Sequence, residues 1–282
     1  MTPANPSPAL RLPEALAAAP AASAWTNVRA IAGVAVKELC RRKDFYVLFV
    51  LTALITLVMG SVNIFHQDNV GRYLKEICLF LIWISSLVIA ITTSARQIPA
   101  ERENRTLFPL LAKPVTRDQV VLGKFLGCWL ASGLALVVFY FFFGLVAAAR
   151  EHEWPMLQFF QAMVLHWFAL GVVCAMTMLG SVIFAAPSSN TTITLVVCAS
   201  ILLVARHLNK VALKLAEPLQ TVVQAVYFCL PHLELFDVRD LIVHDWGTVP
   251  WTIWFAALGY AVVYAGIFLS LACFSFRRKA IN

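Results

Sequence analysis

Few residues in this 282-residue chain have the types and spacing that chemistry needs. Gly123-Lys124-Phe125 carries the Gly-Lys pair of a phosphate-binding loop. The upstream glycine and the following hydroxyl residue are missing, so no nest of backbone N–H groups would cradle a phosphate. Glu151-His152-Glu153-Trp154-Pro155 begins like a zinc-protease helix but lacks the second His one turn on. Cys174, Met176 and Met178 offer the soft sulfur ligands that Cu(I) takes. Only Cys174 and Met178 share a helix face, so ordinary packing is the reading taken. His166 is the one imidazole well inside an apolar run. It either lines a pathway or is a buried histidine bonded to a neighbour, and the second reading is preferred. The seven cysteines lie far apart with no Cys-x-x-Cys, so neither a disulfide nor a zinc site is inferred. No pair of carboxylates sits within an apolar run to relay protons or hold sodium. The charged and polar residues gather instead at 94–127, "SARQIPAERENRTLFPLLAKPVTRDQVVLGKFLG".

Composition explains why reactive groups are scarce. Hydrophobic residues make up 61% of the chain and charged residues 13%, against about 25% charged in a soluble domain. Mean hydropathy is +0.79. A soluble core of this length could not hide so much apolar surface, which points to the bilayer as solvent. A soluble enzyme, a disordered chain and a nucleic-acid-binding domain are excluded. The net charge of +7 sits in blocks beside apolar runs, where it reports orientation before any ligand.

A helix needs about 20 apolar residues to cross hydrocarbon. Six runs qualify: Phe45–Phe65, Ile77–Ala95, Gly123–Ala149, Phe159–Ala186, Ser188–Ala205 and Trp251–Phe276, the fifth being the shortest. Trp25, Trp154, Trp246, Trp251 and Trp254 fall near the predicted interfaces, as in an aromatic belt. Of the 22 Lys and Arg residues, fifteen fall on one side of this topology and seven on the other. The excess of positive charge predicts both termini in the cytoplasm. The fold class expected is therefore an all-α membrane protein with six transmembrane helices.

Residues 1–24, Pro/Ala-rich and broken by Pro13 and Pro20, read as a disordered tail rather than a signal peptide, and 25–282 as one six-span domain. Val28, Ile31, Ala32, Ala35 and Leu39 recur at helical spacing, with Arg29, Lys37, Arg41 and Arg42 elsewhere around the helix. An N-terminal interfacial helix is expected, with a cytoplasmic extension of the first span as the alternative. Between spans 2 and 3, Pro99 suits the first turn of a short helix. Glu101 and Arg105 are four apart, in the order favourable for an ion pair. Thr116-x-x-Gln119 forms a capping box for span 3, with Val115 and Val120 placed as a staple. A rigid charged-and-apolar helix here would suit docking to a protein; a basic loop that only fixes topology is the plainer reading. Before span 6, "TVVQAVYFCL" at 221–230 lies between Pro218 and Pro231 and is too short to span, which suggests a re-entrant or interfacial segment.

The stretch "ERENRTLFPLLAKPVTRDQVVLGKF" resembles the ABC-2 type permeases, the membrane subunits of ATP-binding-cassette exporters. The residues that carry the likeness are Glu101-Arg102-Glu103, Thr106, Leu110-Leu111, Lys113-Pro114-Val115, Arg117 and Gly123-Lys124. "LPHLELFDVRD" at 230–240 is similar to a segment of the subgroup named for multicopper-enzyme maturation, and no copper chemistry is carried over from that name. The resemblance implies a cytoplasmic coupling helix between spans 2 and 3 that sits on a separate ATPase chain, with Glu101, Arg102, Glu103, Arg105 and Thr106 at or beside the contact. It implies no cofactor in this chain, ATP and Mg being bound by the ATPase. It implies a second permease subunit, as homodimer or heterodimer, a location in the plasma (inner) membrane, and no catalytic residues. A secondary transporter or channel needing no ATPase is the alternative, and a membrane anchor that recruits a partner through the same helix is a third.

Overall fold

The computed structural model describes residues 24–41, 70–103, 115–151, 156–212 and 217–278, with single positions at 46, 50, 53, 54 and 57. Apart from those single positions, the expected first span, 45–65, lies outside the described residues, as does the tail before residue 24. The described chain is helical: α1 (Ala24–Cys40), α2 (Val70–Ala95), α3 (Pro99–Glu103), α4 (Arg117–Glu151), α5 (Met156–Ile183), α6 (Pro187–Ala212), α7 (Leu219–Cys229), a 3-10 turn (Leu233–Phe236), α8 (Arg239–Val243) and α9 (Trp251–Arg278).

Among the described residues, four helical stretches are long and apolar enough to cross a membrane: Lys75–Glu103, Arg117–Ala148, Met156–Ile183 and Trp251–Arg278. They correspond to the second, third, fourth and sixth expected runs. The fifth run is helical too, but its apolar part, Pro187–Leu203, is shorter than a full crossing. The apolar run between Pro218 and Pro231 forms α7, which packs on α6. α5 is the most buried helix and lies against α2, α4 and α9. On the outside, Val137 and Phe141 of α4 and Ile253, Phe255, Val262 and Val263 of α9 are exposed apolar side chains. Such a belt is ordinary where hydrocarbon is the solvent and costly in water.

Several polar side chains within the bundle are paired, as a dry interior favours. α4 and α5 are joined by a reciprocal clasp. Trp129 Nε1 donates to the Trp167 carbonyl at 2.9 Å, and Trp167 Nε1 donates to the Trp129 carbonyl at 3.0 Å. The indoles stack with centroids 4.8 Å apart. Each ring lies over a glycine of the other helix, Gly133 under Trp167 and Gly171 under Trp129, where a Cβ would collide with the indole. Trp-x-x-x-Gly therefore occurs once on each helix, at 129–133 and 167–171. His166, fully buried, stacks on Trp83 at 4.6 Å, hydrogen-bonds Ser86 Oγ at 2.9 Å and reaches Tyr140 Oη at 3.5 Å. It is the satisfied core histidine of the preferred reading.

Candidate functional site

Two ends of the bundle carry its charge. At the end away from α3, Asp237 and Arg239 form a bidentate pair at 2.7 Å. The Arg239 guanidinium also lies over the rings of Phe80 and Trp83. Burial alone would lower its pKa, but the hydrogen bonds and charge of Asp237 overcome this and hold it above the usual guanidinium value. Below the pair a cleft of about 410 Å³ runs between α2 and α6, walled by residues such as Leu87, Leu195 and Leu202. Gln161 at the start of α5 grips the strand of chain entering α9, donating to the Val249 carbonyl at 3.0 Å and accepting from the Val249 N–H at 2.9 Å. Lys75, buried, reaches Asp245 at 3.6 Å. Asp245 has φ 50°, a left-handed position that Asp tolerates better than most residues.

The opposite end gathers α1, α3, the start of α4 and the end of α9. The capping box forms: Gln119 N–H donates to Thr116 Oγ1 at 3.4 Å, and Thr116 N–H donates to Gln119 Oε1 at 3.2 Å. Gln119 Oε1 also accepts from Asn27 Nδ2 of α1 at 3.3 Å. From that bond the two helices run parallel. Asn27 meets Gln119, Ile31 meets Gly123 and Ala35 meets Gly127, a constant offset of 92 residues. A Cβ on Gly123 would lie 2.8 Å from Ile31 Cβ, and one on Gly127 2.5 Å from Ala35 Cβ. Gly123-x-x-x-Gly127 is thus the groove that lets α1 approach. α4 has 35 residues and extends about 52 Å. That exceeds the ~30 Å of hydrocarbon, which leaves several turns free to carry α1.

The start of α4 is tied to the end of α9. Arg117 Nη1 donates to the carbonyls of Phe276 and Arg277 at 3.0 and 3.1 Å, where a cation also meets the negative end of the helix dipole. Asp118 accepts from Arg277 Nε at 2.9 Å and pairs with its Nη2 as well.

Of the residues expected at the coupling helix, three fall among the described ones. α3 holds Glu101, Arg102 and Glu103, in a helix of five residues beginning at Pro99. Glu103 is exposed, Arg102 half-buried, and the Glu101 side chain only 18% exposed. Glu101 turns inward, its Oε1 2.8 Å from Lys124 Nζ. Arg105, its expected ion-pair partner, and Thr106 lie outside the described residues. Lys124 also donates to Gln97 Oε1 at 3.1 Å. Two features of this end escaped sequence reasoning. The Gly123-x-x-x-Gly127 spacing was a readable signal for a close helix approach. The inward pairing of Glu101 had none, since Lys124 had to be brought to it by the fold.

Among the described residues, four helices long and apolar enough to cross a membrane, with lipid-suited flanks, mark a membrane protein. The sequence matches the family described as ABC-2 family transporter protein over residues 49–281. The chain belongs to that family, whose members are membrane components of ABC transporters and imply an ATPase partner. None of the curated proteins compared with it gave a match.

Proposed function

We propose that the chain is the permease subunit of an ABC exporter, driven by a separate ATPase that docks at the α3 end of the bundle. The observation that carries this is α3 itself, a short charged helix with Glu103 exposed, braced at the same end as α1, the start of α4 and the last turn of α9. A five-residue helix has no stability alone, so its place depends on these supports. That is the property a lever needs. The docking surface in this reading comprises Arg102 and Glu103 together with Arg105 and Thr106, with Glu101 beside it. ATP and Mg are bound by the ATPase chain. The α3 end faces the cytoplasm of the plasma membrane, in keeping with the excess of Lys and Arg on that side. α7 dips into the outer leaflet as a re-entrant segment. A second permease subunit completes the transporter, and the exposed apolar side chains of α6 and α9 are available to it as well as to lipid.

The test is Glu103→Arg in the affinity-tagged permease co-expressed with its ATPase. Reversing an exposed contact charge should cut ATPase recovery at least fivefold while the permease alone stays monodisperse. Unchanged recovery, with ATP hydrolysis in the complex also unchanged, would remove Glu103 from the contact.

A further inference from the structure

Lys124 is the one basic residue of α4 that the bundle encloses among those described; it is 6% exposed. A buried ammonium is costly unless fully paired. Its Nζ lies 2.8 Å from Glu101 Oε1 and 3.1 Å from Gln97 Oε1. Glu101 belongs to α3, and Gln97 to the turn joining α2 to α3. Lys124 therefore holds both the lever and its root. Its position along α4 adds the second half of the argument. Gly123 and Gly127, its neighbours on that stretch, are pressed against Ile31 and Ala35 of α1. One stretch of α4 thus grips α3 through a charge and α1 through bare backbone, so the three helices must shift together.

We infer that the Glu101–Lys124 ion pair is a strut that passes displacement of α3 to α4 and α1, so that Lys124 is a positioning residue and Glu101 acts through it rather than by touching the ATPase. The inference rests on the docking reading above and sharpens it, because it divides α3 into an inward residue that transmits and an outward residue, Glu103, that binds. A break in the strut should leave the ATPase bound but idle. A break in the outer contact should release it.

The experiment uses the full permease with its ATPase in nanodiscs, comparing Glu101→Gln, Lys124→Gln and the exchanged pair Glu101→Lys with Lys124→Glu. Two readouts are taken: recovery of the ATPase with tagged permease, and ATP hydrolysis by the complex relative to the isolated ATPase. Each single variant should keep recovery within twofold of wild type and lose the permease-dependent change in hydrolysis at least fivefold. The exchanged pair should restore at least half of it. A third readout needs no ATPase. Hydrogen exchange at the Arg102 amide, which bonds the Ile98 carbonyl at 3.2 Å, should speed up at least tenfold in the Lys124→Gln permease alone. If Lys124→Gln does not fold, Lys124→Arg and the exchanged pair take its place.

Hydrolysis coupling retained in both single variants overturns the strut. So does loss of ATPase binding by Glu101→Gln but not by Lys124→Gln, which would put Glu101 in direct contact. Exchange at Arg102 unchanged in Lys124→Gln also overturns it. If wild-type permease recovers no ATPase at all, the docking reading fails, and the exchange measurement still decides whether Lys124 holds α3.

Discussion

A methyl group added to Gly127 would lie 2.5 Å from Ala35 Cβ, 2.9 Å from the Ala32 carbonyl oxygen and 3.3 Å from Ala32 Cα. Carbon atoms in good contact stand about 3.5–4.0 Å apart. The first contact is thus short by about 1 Å, and nothing there can rotate aside: one neighbour is an alanine methyl, the others are backbone. α1 must move off α4. Overpacking of this kind costs about 1–3 kcal/mol. Against it, Gly→Ala inside a helix gains about 1 kcal/mol in backbone propensity. Gly33 separates the two effects, because it lies on α1 with nothing within 4 Å of its Cβ position. Gly33→Ala should stabilise by ~1 kcal/mol, whereas Gly127→Ala should destabilise by up to ~2 kcal/mol. At roughly 2–4 °C per kcal/mol, the midpoint for loss of the monodisperse peak on heating in detergent should rise for Gly33→Ala and fall by as much as ~8 °C for Gly127→Ala. Equal rises in both variants would refute the close parallel packing of α1 on α4.

Other expectations follow from single contacts. Gln161→Leu removes two hydrogen bonds and strands the Val249 N–H and carbonyl; by the same heating assay it should lose about 2–4 kcal/mol, and a loss below 0.5 kcal/mol would mean water or lipid replaces the amide. His166→Phe keeps the stack on Trp83 but loses the bond to Ser86. It should cost about 1–2 kcal/mol while ATP hydrolysis by the assembled complex stays within twofold of wild type; a folded variant with hydrolysis abolished would make His166 functional. Glu103→Arg and the Glu101 and Lys124 variants should separate binding from coupling, as set out above.

What the sequence made legible were features with a local cause. The capping box at Thr116 and Gln119 needs only four residues, and it forms as read. α3 begins at Pro99 because a proline loses nothing in a first turn, and α7 fills the interval between two prolines. The spans at 77–95, 123–149, 159–186 and 251–276 follow from apolar length alone. What could not be read depended on which helices become neighbours. The four-residue spacing showed only Arg105 as a partner for Glu101, and Arg105 lies outside the described residues; the fold also brings Lys124 to within 2.8 Å of it. The two Trp-x-x-x-Gly segments gain meaning only once α4 and α5 are known to lie side by side, each indole needing both a carbonyl and a missing Cβ across the interface. Likewise α1 read as an amphipathic surface helix. Its face of Val28, Ala32 and Ala35 is buried against the Gly123 and Gly127 stretch of α4, a neighbour that spacing within α1 could not name.

The central claim is that the α3 end of the bundle faces the cytoplasm and meets the ATPase there. The most direct measurement is labelling of a cysteine placed at Glu103, with the native cysteines replaced, by a membrane-impermeant maleimide. A cytoplasmic α3 end that meets the ATPase should give no labelling in intact cells, labelling in inverted vesicles stripped of the ATPase, and protection when the ATPase is added back. Labelling from outside intact cells, or equal labelling of the vesicles with and without the ATPase, would contradict it.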